Sequence, residues 1–406
     1  MGQVKQEWIE SEARGYTLPE YGEKNVCSNH FDDSYLKQYI LDHSIAGRCS
    51  YCGQKKMVID LHDFMEYTAE KVTGHFGNPG DEALYLGSSF YDDEDEEVSG
   101  FKRIGSFIAP DFAQHFESTR ELLYELDLIS DHETLNQDIE DCFHNDEWIQ
   151  RHAYMMTKGQ ELSFLWELFS KMVMHEQRFT FLKRLEFSGE KFSDDNGLAD
   201  ILTELGDLIS KHELSITIPI NTILYRCRFV NGNGNVTSFE DITSAPDDKA
   251  KQSRMSPAGI SMFYGAFDSE TAIIESSPSA TVTSSPYVIG ELKTKKELKV
   301  LDLTTLPQSS FWMPADWEGI GFLNSFSFEI TKPIKRDDRI HIQYIPSQVF
   351  TEYLRRIYQS TDGRKIDGVI YKSSIKGAGK NIVLFYNQRR SAEILELVDL
   401  SSVPAK

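Results

Sequence analysis

The chain has 406 residues, 40% hydrophobic and 26% charged, with 25 Phe and 18 Tyr. That content excludes wholesale disorder, and the length predicts two or three domains. The net charge of −22 is uneven: residues 1–215 carry 19 basic and 43 acidic side chains, whereas residues 216–406 carry 23 and 21. So acidic a first half repels nucleic acid and anionic membranes, and no direct binding to nucleic acid is expected. The near-neutral second half leaves room for an anionic small molecule. No apolar run approaches the roughly 20 residues of a membrane span. The polar start, MGQVKQ, resembles no secretory signal and lacks the Ser or Thr expected for myristoylation, so a cytoplasmic location is expected.

The first module is expected to end near Gly74. CSNH at 27–30 and CSYCG at 49–53 flank DDSYLKQYILDHSI, whose spacing predicts a helix burying Leu36 and Ile40. A second helix is expected in VIDLHDFMEYTAEKV. The acidic run DDEDEE at 92–97 reads as a solvated loop. In PDFAQHFESTRELLYELDLI, Pro110 and Asp111 are placed to start a helix. GQELSFLWELFSKMVMHEQRFTFLKR carries an apolar stripe of Leu162, Leu165, Trp166, Phe169 and Val173. A last helix is expected in GLADILTELGDLISKHEL. From Ile216 the period changes, and strands are expected in ITIPINTILYRCRF, SMFYGAF, PYVIGEL, LKVLDLT, FSFEI, HIQYI, GVIYKSS and NIVLFYN. The fold class is therefore α+β: a mostly helical first half with a small metal-binding module, then a mixed α/β domain. The expected boundaries are 1–74, 75–215 and 216–406.

Cys27, His30, Cys49 and Cys52 form C-x2-H followed by C-x2-C, a donor set that suits a structural Zn²⁺. His43 is the alternative fourth ligand. Four protein ligands leave no position open for catalysis. Cys142 and Cys227, with no partner at useful spacing, read as buried thiols.

In the second half, LYRCR at 224–228 ends a β-like run, and its arginines could aim a guanidinium fork at a pyrophosphate. RMSPAGISMFYGAFDSETAIIES at 254–276 follows, with Ser269 as the expected helix cap and Glu275 beside Ile273 and Ile274. A carboxylate among apolar residues needs a partner or a task.

The order Y-R, then R-M-S-P-x-G-I, then Y-x-A-x-D-x-x-T-A-x-x-E resembles the RES family, named for its Arg, Glu and Ser. RIHIQYIPSQVFTEYLRR at 339–356 and DGVIYKSSIKGAGKNIVLF at 367–385 resemble its later blocks. The first half is similar, more loosely, to the HEPN/RES N-terminal domain, through its Cys/His module and MVMHEQRFTF. HEPN ribonucleases place an Arg four to six residues before a His. The only such spacing, Arg336 to His341, lies in the other half, so ribonuclease activity is not expected.

The resemblance implies an ADP-ribosyltransferase-like fold and NAD as substrate. By family, Arg226 matches the first arginine and would hold the NAD phosphates, with Arg228 a rival and Arg254 assisting. Tyr264 would pack against nicotinamide, and Glu275 would meet the ribose at the reacting carbon. Ser373 or Ser374 matches the family serine. The expected activity is cleavage of the nicotinamide–ribose bond, as glycohydrolase or phosphorylase, in a toxin or defence effector. The alternatives are ADP-ribosyl transfer to a macromolecule and a non-catalytic regulator in which the Arg and Glu form a buried ion pair. The acidic first half is expected to recognise an antitoxin or other regulator, or to restrain the second half.

Overall fold

The computed structural model describes residues 14–18, 22–85, 100–179, 197–230, 236–277, 286–332, 340–375 and 379–403. DDEDEE at 92–97 and Arg336 lie outside them. The chain divides into two compact units, one of Met1–Gln160 with Ser309–Glu318, the other of Glu161–Gln308 with Gly319–Lys406. The boundary expected at 215/216 falls inside the second unit.

In the first unit, strands β1 (Asn25–Cys27), β2 (Ile45–Arg48) and β3 (Lys55–Asp60) form an antiparallel sheet in the order β1-β3-β2. Helix α1 (Ser34–Asp42) buries Leu36 and Ile40 as the spacing predicts, and Asp33 caps it by accepting from Tyr35 N and Leu36 N. Helix α2 (Leu61–His75) begins where Asp60 accepts from His62 N. The half expected to be mostly helical also holds two more three-stranded sheets. One pairs β4 (Phe76–Gly77), β8 (His115–Phe116) and β9 (Trp148–Gln150). The other pairs β5 (Leu84–Tyr85), β6 (Phe101–Ile104) and β7 (Phe107–Pro110). These strands are two to four residues long, too short for a period to register. The helix expected from Pro110 begins instead at Thr119, because Pro110 ends β7 and Ser118 supplies the cap to Glu121 N (α3, Thr119–Glu125). Helix α4 (Glu133–Glu140) follows.

The core of this unit contains Trp312, brought from far along the sequence, with Phe64, Met65, Leu122 and Trp148. Trp312 is 2% exposed, and its indole Nε1 donates to Leu126 O at 2.5 Å.

The second unit begins within helix α5 (Lys158–His175), whose Leu162, Trp166, Phe169 and Val173 are buried, followed by α6 (Gly197–Lys211). An eight-stranded sheet then runs β10 (Ser215–Ile218), β14 (Leu298–Asp302), β15 (Gly368–Lys372), β16 (Lys380–Leu384), β12 (Phe263–Ala266), β11 (Ile223–Phe229), β13 (Tyr287–Thr294), β17 (Leu395–Val403), in that order. Its one parallel contact among the described residues is β14 with β15. Helix α7 (Ser269–Ser276) lies against β11, and α10 (Gln388–Ile394) leads into β17.

Two expected strands are helical. FSFEI lies in α8 (Trp317–Thr331), where Ile320, Leu323, Phe326, Ser327 and Ile330 are buried at helical spacing. The Phe326–Phe328–Ile330 alternation that suggested a strand is broken by Phe328, which is 66% exposed. HIQYI falls on a short helix, Ile340–Gln343, and the start of α9 (Ile345–Arg356), with Pro346 in its first turn. No helix among the described residues is long and apolar enough to cross a membrane.

Trp312→Ala should cost the first unit about 3–5 kcal/mol. Hydrogen exchange of the intact chain checks this: protection should fall in Leu61–His75 and persist in the strands of the eight-stranded sheet. Equal loss in both would count against separate cores.

Candidate active site

Each sequence candidate in the second unit has a definite place. Arg226 and Arg228 point from β11 toward the Gly290 side of the sheet by strand alternation, since Arg226 pairs with Gly290 in β13. A Cβ on Gly290 would lie 2.6 Å from Ile242, so glycine lets the Phe239–Ile242 turn close over that face. β11 and β12 pair at a single position, Tyr225 with Ala266. Beyond it a cavity of about 250 Å³ is lined by Arg226, Arg228, Lys249, Lys251, Ser256 and Tyr264, among others, with no carboxylate among the described lining residues.

Arg226 Nη1 donates to Tyr264 O at 3.0 Å, and its guanidinium lies 5.4 Å from the Phe263 ring centroid. Arg228 Nη2 donates to Thr243 O at 3.0 Å. Burial, then the adjacent Arg228 charge, pushes Arg226 down to about 9; burial also lowers Arg228. Both guanidinium groups are thus held by backbone carbonyls, with no ion-pair partner among the described residues. An incoming anion would offset the cost of burying them.

Tyr264 Oη and Ser256 Oγ share a hydrogen bond of 2.8 Å, and burial pushes the phenol up to about 12, so it stays neutral near pH 7. Arg254 is carried on the turn before it. Ser347 Oγ donates to Arg254 O at 2.6 Å, and Gln348 Nε2 donates to Ser253 O at 2.8 Å. The guanidinium donates to Ile330 O at 2.9 Å and lies 5.4 Å from the Tyr344 ring centroid. The Y-I-P-S-Q segment is thus the mount of the Arg254 loop.

Glu275 belongs to a second cluster. Helix α7 is capped by Asp268 and not by Ser269: the Asp268 carboxylate accepts from Thr271 N at 2.8 Å and Thr271 Oγ1 at 2.6 Å. A carboxylate one residue earlier reaches the free N–H groups, leaving Ser269 as the first helical residue. Glu275, half-buried near the other end, accepts from Ser373 Oγ at 2.5 Å and Asn381 Nδ2 at 2.9 Å. Ser373, not Ser374, makes that contact. Tyr371 pairs with Asn381 in the sheet; burial, then the fields of Tyr264 and Glu275, raise its phenol far above the usual range. Arg226 and Glu275 are not paired with each other.

Lys249, Lys251, Tyr371 and Asn381 are site residues that sequence reasoning missed. Two of them had a signal, Tyr371 as the Tyr of D-G-V-I-Y-K-S-S and Asn381 as the Asn of G-K-N-I-V-L-F.

In the first unit, the donor atoms of Cys27, His30, Cys49 and Cys52 lie within 4.8 Å of one another, so this cluster could hold a metal ion. Cys27 Sγ is 3.8 Å from Cys52 Sγ, and Cys49 Sγ is 3.4 Å from His30 Nε2. A tetrahedron with metal–sulfur bonds of about 2.3 Å has edges of about 3.8 Å, so the donors fit. His30 Nδ1 faces Asp131 Oδ1 at 3.3 Å, a carboxylate contact of the kind that fixes a ligating ring. His43 is excluded as fourth ligand: its Nδ1 lies 2.8 Å from Tyr39 O and its side chain is exposed. Cys142 and Cys227 are buried, as expected.

Comparison with known families decides the identity. Residues 223–403 match the RES domain, and residues 42–186 match the HEPN/RES N-terminal domain 1. The chain carries a RES domain preceded by a HEPN/RES N-terminal domain 1. A search of the curated proteins found no match. The RES domain spans β11 to β17 and therefore contains the arginine cavity, the Glu275 cluster and Tyr371. The N-terminal match takes in Cys49 and Cys52 but starts after Cys27 and His30.

The purified chain should hold one tightly bound divalent ion, measurable by elemental analysis. Cys49→Ser should remove it and lower the unfolding midpoint; unchanged metal content would count against the cluster.

Proposed function

We propose that this RES-domain protein cleaves the nicotinamide–ribose bond of NAD. The observation that carries this reading is an arginine cavity with no carboxylate among its described lining residues, in the same domain as a glutamate oriented by Ser373 and Asn381. Arg226 and Arg228 bind the diphosphate, and Arg254 braces the adjoining loop. Tyr264, kept neutral by burial, packs against nicotinamide without placing an anion beside its positive ring. Glu275 faces the ribose carbon. When the C–N bond breaks, its electron pair leaves with nicotinamide, which departs neutral, and positive charge grows on the ribose. The Glu275 carboxylate offsets that charge. Water or phosphate then adds to the carbon and gives up a proton to solvent.

The reading fits the association of RES domains with NAD-related toxins and effectors. It places the protein in the cytoplasm, as a toxin or defence effector restrained by an antitoxin, another regulator or its own first half. The ADP-ribosyltransferase-like fold is part of the same proposal. The regulator reading, an Arg–Glu pair serving only stability, loses its basis, because Arg226 and Glu275 each bond to neutral groups instead. In the first unit, Cys27, His30, Cys49 and Cys52 would hold Zn²⁺, which would staple the end of β1 and the turn after it to the loop between β2 and β3.

Mass spectrometry of NAD with the intact protein, with and without phosphate, tests the reaction. Free nicotinamide should form, and the ribosyl product should name the acceptor; protein-linked ADP-ribose would favour the transferase instead. Glu275→Gln should lower turnover by about 100-fold or more. Undiminished turnover in that variant would overturn the assignment.

A further inference from the structure

Glu275 is gripped by one oxygen. Ser373 Oγ and Asn381 Nδ2 both donate to Oε1, at 2.5 and 2.9 Å. Both donors are buried, Ser373 at 7% and Asn381 at 4% exposure. The residue just before β16 packs tightly against α7. A Cβ on Gly379 would lie 2.5 Å from Thr271 Oγ1 and 3.2 Å from Ser373 Cβ. Thr271 cannot easily give way, since Asp268 holds both its N–H and its hydroxyl. Ser373 N also donates to Gly379 O at 2.8 Å, which ties the two donor-bearing segments together. Glycine at 379, the Asp268 cap and the Asn381 amide therefore form one support.

A glutamate carboxylate turns easily about its last torsion, whose preference is broad and nearly two-fold. Two donors on the same oxygen select one orientation. We propose that Asn381 is a positioning residue for the cleavage step, clamping Oε1 of Glu275 with Ser373 so that Oε2 is the oxygen presented to the ribose. This rests on the NAD-cleaving reading and adds to it a residue acting through Glu275. Asparagine suits the task because its amide donates without bringing a charge beside the carboxylate. The titratable group facing this cluster from the neighbouring strand is Tyr371, whose phenol remains neutral; Tyr264 and Arg254 act on Tyr371 from further elements.

The test uses the full chain. Asn381→Leu should lower kcat about 10- to 100-fold, the worth of one hydrogen bond to a charged group, with KM for NAD within about twofold. Asn381→Asp, nearly isosteric, places a second carboxylate beside Glu275 and should move the acid limb of the kcat profile to higher pH. A merely structural Asn381 would lower the yield of folded enzyme and leave that limb in place. Unchanged kcat, or a rise in KM alone, would overturn the proposal. A double-mutant cycle between Asn381→Leu and Glu275→Gln, read from urea midpoints, needs no turnover. Non-additive effects support the clamp, and strict additivity sinks it whether or not NAD is a substrate. Non-additivity in a protein that leaves NAD intact would instead sink the NAD reading and keep the clamp.

Discussion

A guanidinium and a carboxylate share one domain here without neutralising each other. Burying either charge is costly, and the usual remedy is to pair them. The RES domain instead satisfies each with neutral groups: Tyr264 O for Arg226, and the Ser373 hydroxyl with the Asn381 amide for Glu275. In the proposed function the two charges serve different partners. The arginine side can meet an anion, and the glutamate side can meet a cation that exists only while a bond is breaking.

The fold keeps them apart with simple means. Strand alternation and the single pairing between β11 and β12 turn Arg226 and Arg228 toward the cavity. Helix α7 packs on the opposite side of β11, where Cys227, Ala266 and Ala272 form a small cluster. Loops reach the site through fixed mounts: Ser347 and Gln348 at the start of α9 hold the turn bearing Arg254, and Ser256 on that turn holds Tyr264. The first unit follows a different strategy. Its strands are short, its core draws in the distant Trp312, and its Cys/His cluster could hold a metal ion.

Much of this was legible in the sequence where chemistry or period is local. The four metal donors, helices α1, α2 and α5, and most strands after Ile216 follow from spacing. The RES blocks, read as a resemblance, pointed to Arg226 or Arg228, Arg254, Tyr264, Glu275 and one of Ser373 and Ser374 as candidates. What sequence could not carry was register and depth. Whether Ser373 or Ser374 meets Glu275 depends on the sheet position opposite Gly379. Lys249 and Lys251 border the cavity only because the Asp247–Lys249 turn folds back beside β11. FSFEI alternates like a strand, yet the residues before it extend a helical stripe. Asp268 rather than Ser269 caps α7 because one residue decides which side chain meets Thr271 N.

The most direct measurement is a crystal structure of the Glu275→Gln full chain soaked with NAD. The diphosphate should lie between Arg226 and Arg228, nicotinamide against Tyr264, and the ribose carbon should face the side chain at 275. A diphosphate bound outside that cavity, or a ribose remote from residue 275, would contradict it.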